Sequence, residues 1–71
     1  MKTQMIQFFL NGEAYLIKQA ISLSDLISYF NYNDSLLVVE YNNLICDKKL
    51  WKSTFIQHSA KIEMVTIVGG G

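Results

Sequence analysis

The chain offers few groups that could do chemistry, and the most informative sit at its end. Gly69, Gly70 and Gly71 follow the apolar run from Ile62 to Val68. Glycine has no Cβ and reaches nearly all of φ/ψ space, so three in a row make a thin, bare tail. Extended, they reach roughly 10 Å at ~3.3–3.6 Å per residue. Such a tail fits a channel that any side chain would block. The group it presents is the α-carboxylate of Gly71, ionised at neutral pH. The alternative is a frayed end, the usual fate of chain termini. Cys46, the single cysteine, occupies an apolar position with no His or basic pair beside it, which reads as a small core residue and not as a nucleophile. His58, the single histidine, has no Cys or His at ligand spacing and reads as a solvated loop residue, with no metal site. Trp51 and the tyrosines read as core, since no basic groove accompanies them as stacking on nucleobases would require. The glycines do not form a phosphate-binding loop, because no helix start follows them.

Composition narrows the function classes. A chain of 71 residues is one domain, and a domain this small has no stability to spare for a large internal active site. Hydrophobic residues make up 51% and charged residues 17%, a globular balance. Lys+Arg and Asp+Glu number 6 each, and every basic residue is Lys, so the basic excess of a nucleic-acid binder is missing. No apolar run approaches the length of a membrane span, and no secretory signal is expected at Met1–Gln4. A lone cysteine fits a reducing compartment, the cytoplasm or a plastid stroma.

The elements that must position the tail follow from pattern. Met5–Leu10 alternates as a strand, Asn11-Gly12 is a type I′ hairpin signal, and Glu13–Lys18 returns with Tyr15 and Ile17 inward. Ser22 caps a helix with Asp25 at N3, a capping box with the shorter acid. Leu23, Leu26, Ile27 and Phe30 share one helical face, so the helix is expected over Ser22–Phe30. Leu36–Tyr41 is a third strand, with Leu37, Val39 and Tyr41 on one face. Asn42-Asn43 turns the chain through left-handed backbone into the short strand Leu44–Cys46. Asp47–Phe55 is irregular or one helical turn, with Trp51 plugging an end of the core. Gln57–Lys61 is a loop, and Ile62–Val68 is the last strand. The order predicts an α+β fold of the β-grasp (ubiquitin-like) type. In it the last strand lies parallel to the first, and one helix packs on one face of a mixed sheet. The expected core includes Ile6, Phe8, Leu26, Phe30, Val39 and Ile62. The domain spans 1–68 and the tail 69–71. Val65 and Ile67 lie on the register opposite Ile62, Met64, Thr66 and Val68, and one of these sets faces away from the helix as a candidate contact strip.

Taken together, these segments resemble the ThiS family, the sulfur carriers of thiamine biosynthesis. The resemblance runs over the whole chain. It rests on Phe9-Leu10-Asn11-Gly12-Glu13, Ser22-Leu23-Ser24-Asp25-Leu26-Ile27, Val39-Glu40-Tyr41-Asn42-Asn43, Ile45 followed by Trp51, Lys61-Ile62-Glu63-Met64-Val65, and Val68-Gly69-Gly70-Gly71. The terminal piece is the most specific. Asn43 stands where the family has Gly. Cys46-Asp47-Lys48 replaces Val-Pro-Arg, so Lys48 keeps the charge without the guanidinium fork. His58-Ser59-Ala60 shortens an Asp-Gly-Asp loop.

The resemblance implies that Gly71 is adenylated and then thiocarboxylated, with Gly69 and Gly70 giving reach. It implies three partners: a ThiF-like adenylating enzyme, the thiazole synthase ThiG, and a cysteine desulfurase or sulfurtransferase as sulfur donor. Val65 and Ile67 are the candidate partner-binding residues. The chain would be a protein cosubstrate with no catalytic residue of its own and no bound cofactor, since ATP and metal belong to the activating enzyme. Two other readings stand beside this one. The first is MoaD-like sulfur delivery for molybdopterin, or a ubiquitin-like modifier using the same tail; MoaD-like tails often carry Pro before the glycines, and this chain has none. The second is a non-reactive β-grasp binding module.

Overall fold

A computed structural model describes residues 5–67. The two-residue Asn11-Gly12 turn joins β1 (Ile6–Leu10) to β2 (Glu13–Ile17) in register, from Leu10 opposite Glu13 to Ile6 opposite Ile17. Both turn residues take positive φ, 49° at Asn11 and 85° at Gly12, as a type I′ turn requires. The helix α1 (Leu23–Tyr29) starts at the predicted cap. The Asp25 N–H donates to the Ser22 hydroxyl, and the Ser22 N–H donates to the Asp25 carboxylate, both at 3.1 Å. Two of the orphan donors at the helix start are thereby satisfied.

A short 3₁₀ turn at Asp34–Leu36 leads into β3 (Leu37–Tyr41). Asn42 and Asn43, at φ 52° and 72°, turn the chain into β4 (Leu44–Ile45). The positive φ at Asn43 shows how Asn serves at this corner without glycine. A second 3₁₀ turn, Lys48–Leu50, precedes buried Trp51, and β5 (Lys61–Thr66) ends the domain. The sheet order is β2-β1-β5-β3-β4, with β1 and β5 parallel and the other neighbours antiparallel. This is the expected β-grasp, with the last strand in the centre.

One face of the sheet and the inner stripe of α1 enclose the core. Phe8, Leu10, Leu23, Leu26, Ile27, Leu37, Val39, Ile62 and Met64 are buried there. Of the six residues expected inside, Phe8, Leu26, Val39 and Ile62 are buried. Ile6 is only half-buried. Phe30 is a correction: it is 37% exposed. The helix ends at Tyr29 and Phe30 is its C-cap, so the fourth apolar position falls past the last turn. Its ring instead packs among Tyr15, Tyr29 and Tyr32, at centroid distances of 5.6, 5.1 and 6.4 Å.

The connection from Asp47 to Ala60 adds core that pattern reading did not assign. Ile56 and Ala60 are buried, and the Ile56 N–H donates to the Ile21 carbonyl at 2.9 Å. The hydroxyl of Tyr41 pins the same segment. It donates to the Phe55 carbonyl at 3.2 Å and accepts from the Gln57 N–H at 3.0 Å. Trp51 fills an end of the core as expected, its indole N–H donating to the Cys46 carbonyl at 2.9 Å.

Candidate functional site

The site is built from one strand used on both faces. On β5, Ile62 is fully buried and Met64 nearly so, while Val65 is 58% exposed and Ile67, just beyond the strand, 54%. The alternation of side chains across the sheet produces this division, and the position of α1 decides which set is covered. Val65 stands opposite Val38 of β3. Along the same open face lie Glu63 opposite Glu40, then Ile45 on β4 opposite Glu40. On the other side of β5, Phe9 stands beside Lys61, with Ala14 and Leu16 on β2 beyond it. Leu16 and Ile45 are exposed, and Phe9 and Val38 are half-buried. The outer face is therefore an apolar band interrupted by two carboxylates in direct cross-strand register. Like charges so placed are unfavourable. Among the described residues the one ion pair is Lys48–Asp34, an exposed contact at 3.7 Å.

The Ile67 N–H donates to the Leu36 carbonyl at 2.7 Å, which keeps the segment beside β3 just past the strand. Gly69, Gly70 and Gly71, the predicted tail and reactive end, lie outside the described residues. The structure thus puts the two candidate contact residues, Val65 and Ile67, on the open side within a few residues of the glycines.

The side chains set aside in the sequence have structural surroundings. Cys46 is half-buried against the core, its sulfur 3.7 Å from the Thr54 hydroxyl. His58 lies in an exposed loop, where Nδ1 accepts the Gln7 N–H at 3.1 Å. Among the described residues no group of His, Cys, Asp and Glu is placed to hold a metal ion. No helix among them is long and apolar enough to cross a membrane. The residue that sequence reading credited with too little is Asn11. Besides making the turn, its side chain reaches the backbone of Met64. A turn asparagine gives no sign in sequence that its amide has a distant partner.

Comparison with known proteins bears on the family and the fold. The model of the ThiS family matches residues 6–71. An uncharacterised protein named ycf40 from Trieres chinensis is 56% identical over 64 residues, covering 90% of this chain and 88% of that protein. The ycf40 proteins of Porphyra purpurea and Pyropia yezoensis are 35% and 36% identical over 66 residues, covering 93% of each chain. The crystal structure of the thiamine biosynthesis protein ThiS from Geobacter metallireducens superposes with a TM-score of 0.81 at 17% identity. It covers 93% of this chain and 100% of that one.

Proposed function

The chain belongs to the ThiS family of small ubiquitin-like sulfur carriers, and from that premise we propose that it carries sulfur for the thiazole ring of thiamine on the carboxyl group of Gly71. The observation that carries the reading is the extent of the family match, which runs from β1 through Gly71 and so includes all three glycines. A free carboxylate is a poor acyl donor, because its oxygen is a poor leaving group. Activation solves this: the carboxylate oxygen attacks the α-phosphate of ATP, pyrophosphate leaves, and an acyl-adenylate forms. A persulfide sulfur then attacks the acyl carbon and AMP leaves. A thiol cleaves the resulting S–S bond, and the thiocarboxylate is free to deliver sulfur to a thiazole synthase.

In this reading the ATP site, its metal and the catalytic groups belong to a ThiF-like enzyme, and the persulfide to a cysteine desulfurase or sulfurtransferase. The protein itself supplies a rigid domain, a contact face and a slim acyl end. Val65 and Ile67 dock on the activating enzyme, with the apolar band around Val38 as the centre of the contact, where anchors contribute most of the affinity. The setting is a reducing compartment, the cytoplasm or a plastid stroma, in which a thiocarboxylate survives.

The test is the intact mass of the protein after incubation with its adenylating enzyme, ATP and a sulfur source. Exchange of one oxygen for sulfur, followed by turnover with a thiazole synthase, is the expected result. A thiocarboxylate that serves molybdopterin synthesis instead would move the protein to that pathway. An unchanged mass with an active partner would leave a binding module.

A further inference from the structure

The last strand is held unequally on its two sides. Toward β3 it is paired along its length, from Tyr41 opposite Ile62 to Leu37 opposite Thr66, and the Ile67 N–H continues to Leu36. Toward β1 the pairing is short: Phe9 stands beside Lys61 and Leu10 beside Ile62, and then β1 ends. At Asn11 the backbone turns away into the hairpin, after its N–H donates to the Ile62 carbonyl at 2.9 Å. The side chain of Asn11 then takes the place of the missing strand. Its Oδ1 accepts the Met64 N–H at 2.8 Å, and its Nδ2 donates to the Met64 carbonyl at 3.3 Å. Past Met64, among the described residues, nothing further is bonded to β5 on this side. The Asn11 amide is the last anchor there before the chain runs toward Gly71.

The turn does not account for this amide. Glycine and aspartate also serve the first position of a type I′ turn. Only asparagine brings both a donor and an acceptor at this length, and Met64 presents one of each. A carboxylate would keep the bond to the Met64 N–H and set an oxygen against the Met64 carbonyl. Glycine would keep the backbone and lose both bonds.

We propose that Asn11 is a positioning residue for the reactive end: its amide clamps β5 at Met64 and fixes the line along which the tail leaves the domain. The inference rests on the carrier reading above. A reacting group displaced by about 1 Å can cost on the order of a hundredfold in rate, so a strand held on one side alone would present the carboxylate poorly. The open face that docks is untouched by Asn11, so binding and presentation should separate.

The experiment compares Asn11→Gly and Asn11→Asp with the unsubstituted protein. It uses ATP–pyrophosphate exchange by the adenylating enzyme, with the carrier as varied substrate, and amide hydrogen exchange in the free carrier. For Asn11→Gly we expect kcat to fall about tenfold with KM for the carrier within twofold, and the Met64 amide to exchange at least tenfold faster while the Val39 amide does not. Asn11→Asp, which keeps one bond, should lie between, and it serves alone if the glycine variant fails to fold. Unchanged kcat in a variant whose Met64 amide is deprotected would overturn the proposal. So would a loss confined to KM, or a Met64 amide as slow as in the unsubstituted protein. If the unsubstituted protein supports no exchange, the carrier reading fails and the positioning role with it, and a deprotected Met64 amide in Asn11→Gly then marks the clamp as structural alone.

Discussion

The two faces of β5 meet opposite surroundings on the same backbone. Ile62 and Met64 are buried under α1, while Val65, one residue on, is 58% exposed beside Val38. The covered face resembles any small domain core, and each methylene removed there costs transfer energy plus a cavity. The open face keeps an apolar band in water, at a cost that folding does not require. On the proposed reading, stability and partner contact lie on alternate residues of one strand. Substitutions one position apart should therefore fail in different assays.

The largest effect expected is at the end of that strand, where activity and stability should part completely. Deleting Gly71, or replacing Gly70 with Val, should lower ATP–pyrophosphate exchange by orders of magnitude. The midpoint of thermal unfolding should stay nearly where it was, since a chain end contributes little to folding. Full exchange without Gly71 would show that the carboxylate needs no such reach.

On the covered face, Leu26→Ala should cost roughly 2–5 kcal/mol, measured by denaturant unfolding. Leu26 is 2% exposed, and a domain of this size has little more than that to lose. A loss below about half a kcal/mol, the range of ordinary surface changes, would mean that α1 does not seal the core.

On the open face, Val65→Asp should leave the fold intact at a cost well below that of Leu26→Ala, since the new carboxylate joins Glu40 and Glu63 on the same face. It should weaken binding to the adenylating enzyme more than tenfold, at least about 1.4 kcal/mol, in a calorimetric titration. Destabilisation on the scale of Leu26→Ala would erase the distinction between the faces. Undiminished affinity would move the contact elsewhere.

The smallest effect expected is at the helix start, where Ser22→Ala removes the hydroxyl that accepts the Asp25 N–H. A loss of about 1 kcal/mol is typical of such a cap. Because Ser22 is itself buried, a value near 2 would not surprise. A null result in thermal unfolding would show that water replaces the cap.

Much of this architecture could be read from local chemistry. The turns at Asn11-Gly12 and Asn42-Asn43 need positive φ, and Gly and Asn are the residues that accept it. The capping box at Ser22 and Asp25 and the period of Leu23, Leu26 and Ile27 marked the helix. Each signal spans a few neighbouring residues, so it survives in the sequence. Phe30 escapes that pattern because periodicity does not say where the last helical turn ends. The burial of Ile56 and Ala60 leaves no such mark, because an irregular segment has no period from which to infer it.

Two sets of residues on the last strand can be read without coordinates, for a side-chain period of two requires nothing but the backbone. So can the three glycines that follow them. Which set is covered depends on the side from which α1 crosses the sheet, and that exists only in the assembled fold. So does the bond from Asn11 to Met64, 53 residues away, since distant segments meet only once the sheet order brings β1 beside β5.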